Sequence, residues 1–449
     1  MHTQHNTLLS TAARYISLNV MGMLGLSCYI LADTYFISAA LGAPGLTALN
    51  LVLPLYGLLN GLALMLGMGG ATRFAIAQGR AQPDHARAAF THTLILALIV
   101  GGLATLVAPL SGVILPLLGA DAGIAPLGIA YLGALFPFSC AFMLNNVLVC
   151  FMRNAGHPRL AMAAMLVGSL SNILLDYLFL FPLGWGMAGA AAATGLAPCL
   201  GILTLAPVCL GKKSPLRLCR PHLTAGKIKH LLSPGLPSLV NEASVALVMA
   251  LFNSIILGLA GNPGVAAYGI VANLALVATA MLTGVAQGIQ PLISRAYGAG
   301  DCAAILQARR IAMVTALIFG ALFTALAQVF PTQLAGLFNA GQDAALGTLA
   351  TQGLRIYFTA YPFMGFNVIL AAYWASTGRG TRAFWFSLGR SFILVAALSL
   401  LLSALLGMPG VWLTVPCAEA LFALAGLFYM KSRKPSKPGT FPPPLQNRQ

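Results

Sequence analysis

The nonapeptides LGAPGLTAL (41–49) and AGNPGVAAY (260–268) align without a gap at a separation of 219 residues, matching Gly42 with Gly261, Pro44 with Pro263, Gly45 with Gly264 and Ala48 with Ala267. The same register pairs Gly69 with Gly288, Ala77 with Ala296 and Gly79 with Gly298. A slightly longer shift pairs Gly156 with Gly378, Gly186 with Gly407, Met187 with Met408 and Gly189 with Gly410. The chain therefore reads as an internal duplication. Its boundary falls at KKSPLRLCRPHLTAGKIKH (212–230), the longest polar stretch within the sequence, close to its midpoint.

What is duplicated is membrane protein. Of 449 residues, 59% are hydrophobic and 7% charged, and the mean hydropathy of +0.88 excludes a water-soluble fold. Apolar segments punctuated by Gly, Pro and charge run roughly at 14–38, 46–72, 89–110, 124–151, 160–181, 186–210, 234–259, 264–292, 311–331, 345–375, 383–406 and 409–430, each long enough to span a bilayer. Six spans per repeat is an even number, so both repeats begin on the same side and are related by an axis along the membrane normal. The expected fold class is an all-α integral membrane protein of twelve transmembrane helices in two six-helix bundles, a parallel repeat around a central cavity. The expected organisation is an N-terminal lobe (1–211), a basic cytoplasmic linker (212–233), a C-terminal lobe (234–430) and a proline-rich, disordered cytoplasmic tail (431–449).

Lys+Arg number 24 against eight Asp+Glu, a balance of +16 that in a soluble protein would suggest a nucleic-acid partner. Here the basic residues collect in alternate connections: Arg14; Arg73, Arg80 and Arg87; Arg153 and Arg159; Lys212 to Lys229; Arg295, Arg309 and Arg310; Arg379 and Arg382; and the tail. Only Arg355 and Arg390 fall elsewhere, so the excess charge reads as a topology signal that puts both termini in the cytoplasm, with no nucleic-acid partner. Eight cysteines without a CxxC pair indicate neither a disulfide framework nor a zinc site. The N-terminus lacks a cleavable-signal pattern, and the histidines sit in tails, loops or helix ends, which disfavours a histidine proton relay.

Asp84 and Asp301 occupy equivalent inner loops, and Asp121 and Asp343 equivalent outer loops; Asp33, Asp176, Glu242 and Glu419 lie inside expected spans. An ionisable group within a span is a functional-site candidate by default. Counting along helices at about 1.5 Å per residue from the nearest inner basic residue puts Asp33, Asp176 and Thr194 at one level, roughly 25–29 Å up. Asn172 shares a helix face with Asp176. Two carboxylates, an amide and a hydroxyl suit a proton or a hard monovalent cation such as Na+. Two acids at one depth repel unless a proton or cation is shared, whereas Asn172 or Thr194 taken alone reads first as an interhelical hydrogen-bonding residue. Leu394 and Leu398 stand at the repeat equivalents of Asn172 and Asp176, so the cluster belongs to one half. Glu242 lies nearer mid-membrane, either as a cavity-facing substrate or second coupling acid or as a partner for Arg390. Glu419 is open between structural and functional roles, and Arg355 and Arg390 are readable as snorkelling or ion-pairing groups.

YILADTYFISAALGAPGLTALNLVLPL (29–55), GMGGATRFAIAQG (67–79), GLPSLVNEA (235–243) and GNPGVAAYGIVANL with GVAQGIQPLISRAYGAGD (261–301) resemble the multidrug and toxic compound extrusion (MATE) family, in its bacterial MepA-like branch, over about 14–430. The resemblance implies a V-shaped pair of six-helix lobes in the bacterial plasma (inner) membrane, exporting small organic cations in exchange for H+ or Na+, with no other cofactor and as a monomer. By position it makes Asp33, Asn172, Asp176 and Thr194 the cation or proton site and Glu242 the seventh-helix acid. Two departures stand out: no acid occurs in 345–375, and no proline occurs early in the first helix, around Leu18. The alternative transporter reading is a flippase for a lipid-linked precursor, which would want several cationic groups in the cavity; only Arg355 and Arg390 are available. An enzyme is not expected, because the sequence has no clustered Asp motif or loop metal site.

Overall fold

In the computed structural model the described residues are 2–209, 211, 214, 216–221, 224–338 and 344–432, and they are helical with no strand among them. Asp343, part of the 212–223 stretch and the tail from 433 onward lie outside the described residues.

Twelve spanning helices can be followed among the described residues. A continuous helical stretch, His2–Gly79, is broken at Gly42 into α1 (2–41) and α2 (43–79). Then come α3 (83–117), α4 (Ala125–Asn154, with one tight turn at Phe136–Phe138), α5 (Pro158–Leu180) and α6 (Gly186–Cys209). A short helix, Ala225–Leu232, precedes the second set. There Leu236–Ala299 is broken at Gly261 into α7 (236–260) and α8 (262–299), followed by α9 (Cys302–Val329), α10 (Ala344–Ser376), α11 (Gly380–Leu406) and α12 (Met408–Ser432).

The duplication is written into the backbone. Gly42 (φ 64°, ψ −155°) and Gly261 (φ 62°, ψ −157°) adopt nearly the same non-helical conformation, one that residues with a β-carbon scarcely reach. Each is followed two residues later by a proline, whose missing N–H costs nothing in the first turn of the next helix. Gly156 and Gly378, and Gly186 and Gly407, also share positive φ at equivalent turns. Helix starts use ordinary chemistry: Pro83 and Pro158 open α3 and α5, and Asp301 caps α9 by accepting from the Ala304 N–H at 2.9 Å.

The outer surface is apolar, with Leu117, Leu405, Leu424 and Phe428 among the exposed large side chains, as a lipid-facing bundle requires. Inside, the first half packs the rings of Phe74 and Phe90 edge-on against Phe151, with centroids 5.4 and 5.1 Å apart. The second half closes around the fully buried Trp412 and Tyr361.

The halves meet mainly through α1 and α2 against α7 and α8, where glycine removes the side chain at each close approach. A β-carbon on Gly79 would overlap the Arg295 carbonyl, and one on its repeat mate Gly298 would overlap that of Ile76. Gly284 and Gly288 likewise receive Val20 and Ile16 of α1. These contacts gather toward the end of the molecule that carries the basic loops. The short helix Ala225–Leu232 is tied down there, Arg73 donating to the His230 carbonyl (3.1 Å) and facing its Nδ1 (3.2 Å).

Candidate cation-binding site

Asp33 on α1, Asn172 and Asp176 on α5 and Thr194 on α6 come together inside the first half, all buried. Asn172 Nδ2 donates to Thr194 Oγ1 at 3.2 Å. The Asp33 and Asp176 carboxyls neighbour each other. As carboxylates they offer only acceptors, so their approach needs a shared proton or a cation. Asp33 Oδ1, both Asp176 oxygens and Asn172 Oδ1 are buried and receive no hydrogen bond among the described residues. Such orphaned acceptors are expensive in a low-dielectric interior unless something positive sits among them. The donor set fits a proton or a small hard cation; no cluster of three or more His, Cys, Asp or Glu suited to a transition metal occurs among the described residues.

Three tyrosines surround this cluster. Tyr131 on α4 lies beside Thr194. Tyr29, one helical turn before Asp33, shares a 2.9 Å hydroxyl–hydroxyl hydrogen bond with Tyr56 on α2. The sequence reading had not singled them out; the i to i+4 spacing of Tyr29 and Asp33 was the available signal. Asn172 and Thr194 line a cavity of about 280 Å³, together with Tyr29, Tyr56, Asn60 and Glu242. The two amide and hydroxyl residues thus face the cavity with the acids beside them.

Glu242 on α7 shares the first cavity with Asn60 and also lines a second cavity, of about 300 Å³, with Asn241, Arg390, Ser391 and Glu419. It stands where α2 and α7 touch, its Cβ close to Gly61. It is not the partner of Arg390, which the sequence had left possible: Arg390 Nη1 meets Glu419 Oε1 at 2.6 Å, the geometry of a buried ion pair. Arg355 is exposed, and its carbonyl accepts from Gln328 Nε2 at 2.6 Å.

Arg153 corrects another expectation. Counted from sequence among the loop charges, it lies in the last turn of α4 and is only 2% exposed. It has no carboxylate: Nη1 donates to Asn19 Oδ1 of α1 and to Gln287 Oε1 of α8 (3.1 Å). Asn19 Nδ2 in turn donates to the Gly284 carbonyl at 2.8 Å, and Gln290 Nε2 to Thr72 Oγ1 at 2.8 Å. This band of hydrogen bonds, with the Arg153 guanidinium donating to neutral amides, joins the two halves on the basic-loop side of the cavity.

The MatE family profile matches residues 19–178 and 237–413, one block in each half. The chain belongs to the MatE family. MatE proteins are ion-coupled membrane transporters and not enzymes. Among its relatives is the multidrug export protein MepA of Staphylococcus saprophyticus, 24% identical over 404 residues, spanning 89% of this chain and 88% of that protein. A crystal structure of a MATE protein in the straight conformation superposes with a TM-score of 0.89 at 25% identity, covering 95% of this chain and 96% of the other. A multidrug-resistance MATE transporter in an outward-facing conformation also gives 0.89, at 24% identity, covering 95% of each. The twelve-helix, two-bundle architecture is therefore that of the MatE fold.

Proposed function

We propose that this MatE protein is a multidrug efflux antiporter of the bacterial plasma membrane, exporting small organic cations in exchange for H+ or Na+. The observation that carries this reading is the group of buried acceptor oxygens on Asp33, Asn172 and Asp176 that nothing among the described residues satisfies. A coupling proton or Na+ among them supplies the positive charge, with Thr194 and Asn172 as neutral ligands that orient each other through their hydrogen bond. MepA relatives, named for multidrug export, support the substrate class. So does the form of the cavities, which combine apolar, aromatic and methionine walls with the carboxyl of Glu242.

Coupling follows from α1. The helix carries Asp33 near one end and, about 21 Å away at 1.5 Å per residue, Asn19 in the band that joins the halves. No proline or non-helical residue interrupts it. A cation drawing Asp33 toward Asp176 on α5 therefore acts, through a rigid rod, on contacts to α8. Organic cation and coupling ion then bias one two-state rocking motion in opposite directions. With the basic loops in the cytoplasm, the closed band faces inward and the arrangement corresponds to release outside.

The test is uptake of a fluorescent organic cation into everted vesicles, with sodium and pH gradients imposed separately. Uptake driven by one gradient and collapsed by its ionophore is the expected result and names the ion. No uptake under either gradient, across a panel of cations, would remove the antiport reading.

A further inference from the structure

Four acids lie within spans, and the two halves treat them differently. The first half holds Asp33 and Asp176 with no base against them. In the second half, Glu419 on α12 is matched by Arg390 on α11, both side chains nearly inaccessible. Asn367 on α10 completes the group, its Nδ2 donating to Glu419 Oε2 at 2.7 Å and to the Glu419 carbonyl at 2.8 Å. Asn367 is the repeat mate of Asn145 at the shift that pairs Gly156 with Gly378, and both Asn Oδ1 atoms are buried without a partner among the described residues. Gly168 and Pro198 occupy the places equivalent to Arg390 and Glu419, so the ion pair is confined to the second half.

The attachment of Arg390 is not that of an optimised structural pair. A single Nη1–Oε1 hydrogen bond is made in place of a two-pronged fork, and Nε is buried with no acceptor among the described residues. A buried ion pair so incompletely bonded recovers little of its desolvation cost. The helix is also distorted at this point: Gly389–Ile393 forms a π turn, a feature concentrated at functional sites, and Gly389 sits hard against the Phe422 ring. Finally, Arg390 and Glu419 both line the cavity of about 300 Å³ that Glu242 also faces. An ion in that cavity reaches Glu419 directly.

We infer that Glu419 and Asn367 form a second intramembrane site for a monovalent cation, and that the Arg390 guanidinium is a tethered cation occupying it permanently. The Glu419 site is thereby closed in charge without a mobile ion, leaving Glu242 on α7 as the second half's other intramembrane acid. Given the antiport reading proposed above, on which this clause rests, the coupling ion is taken up in the first half alone. Removing the guanidinium while keeping Glu419 frees a site that accepts a small cation from the cavity, guanidinium best because it reproduces the lost group.

The experiment is thermal unfolding of the purified full chain, as wild type, Arg390→Ala and the doubly neutral Arg390→Gln/Glu419→Gln, titrated with guanidinium chloride to about 10 mM against choline chloride. The expected result is a saturable rise in the Arg390→Ala midpoint of about 3 °C or more, with wild type and the double variant unmoved. An Arg390→Ala protein that responds to neither guanidinium nor sodium overturns the inference. If Arg390→Ala does not fold, the double variant decides: export in proteoliposomes with the wild-type ion requirement supports a charge-closing role, and loss of export in a folded protein overturns it. Failure of wild-type ion-driven export would count against the proposed function while leaving the unfolding measurement to decide this site.

Discussion

Asp176 has both carboxylate oxygens buried without a donor, and Asp33 beside it has one. At the level of single residues this is where the chemistry concentrates. Glu242 differs in kind: it faces both cavities, and the proposed function therefore assigns it to the organic cation. Glu242→Gln is expected to raise the half-saturating concentration of organic cations about tenfold, roughly 1.4 kcal/mol, while leaving the ion requirement in place. Concentration dependence of vesicle uptake checks this; an unchanged affinity would remove Glu242 from the substrate site. The acids were legible in the sequence because a carboxylate in an apolar run has few alternative explanations. Tyr29, Tyr56 and Tyr131 were not, since aromatic side chains are common in any membrane helix and only packing decides which face a carboxyl group. Arg153 was misread for the same reason: lying two residues before the turn at Ala155, it could be counted as a loop charge, and only the tertiary structure turns it inward onto Asn19 and Gln287.

Among the elements, the paired breaks at Gly42 and Gly261 are the points where two spans are made from one helical stretch. Both glycines hold a conformation that a β-carbon disfavours, so Gly42→Ala or Gly261→Ala should each destabilise the protein by about 1–3 kcal/mol. A fall in the unfolding midpoint for each, against an unaffected change at the open helical position Gly102, is the check. The repeat alignment revealed that these glycines correspond, but it carried no information on their backbone angles. The short helix Ala225–Leu232 was hidden within a stretch read only as a basic linker. Its His230 is pushed down to about 4, first by burial and then by the charges of Arg73 and Arg80. Because the folded value lies below that of a free histidine, the docked helix is fully favoured above about pH 6.5 and loses that contribution as pH falls toward 4. Hydrogen exchange over 225–232, corrected for intrinsic rate, should therefore accelerate between pH 7 and 5, and His230→Gln should flatten the dependence.

For the whole molecule, the duplication and the hydropathy were enough to reach a twelve-helix, two-bundle fold, because span length and repeat symmetry leave few alternatives. How the halves meet was not legible. It depends on glycines such as Gly79 and Gly298 admitting a neighbouring backbone, and glycine in a membrane helix has many other uses. The proposed orientation makes a direct statement: trypsin should cut at Lys227 or Lys229 and split the chain into halves in everted vesicles, and spare it in right-side-out ones. The reverse pattern would invert the topology. The central claim is that ion occupancy at Asp33 and Asp176 drives export. It is tested most directly by reconstituting wild type and Asp176→Asn and measuring, in the same proteoliposomes, gradient-driven transport and binding of the same organic cation. The expected result is transport reduced by about a hundredfold or more, with binding within a few-fold of wild type. Gradient-driven export at the wild-type rate by the Asp176→Asn protein would contradict it.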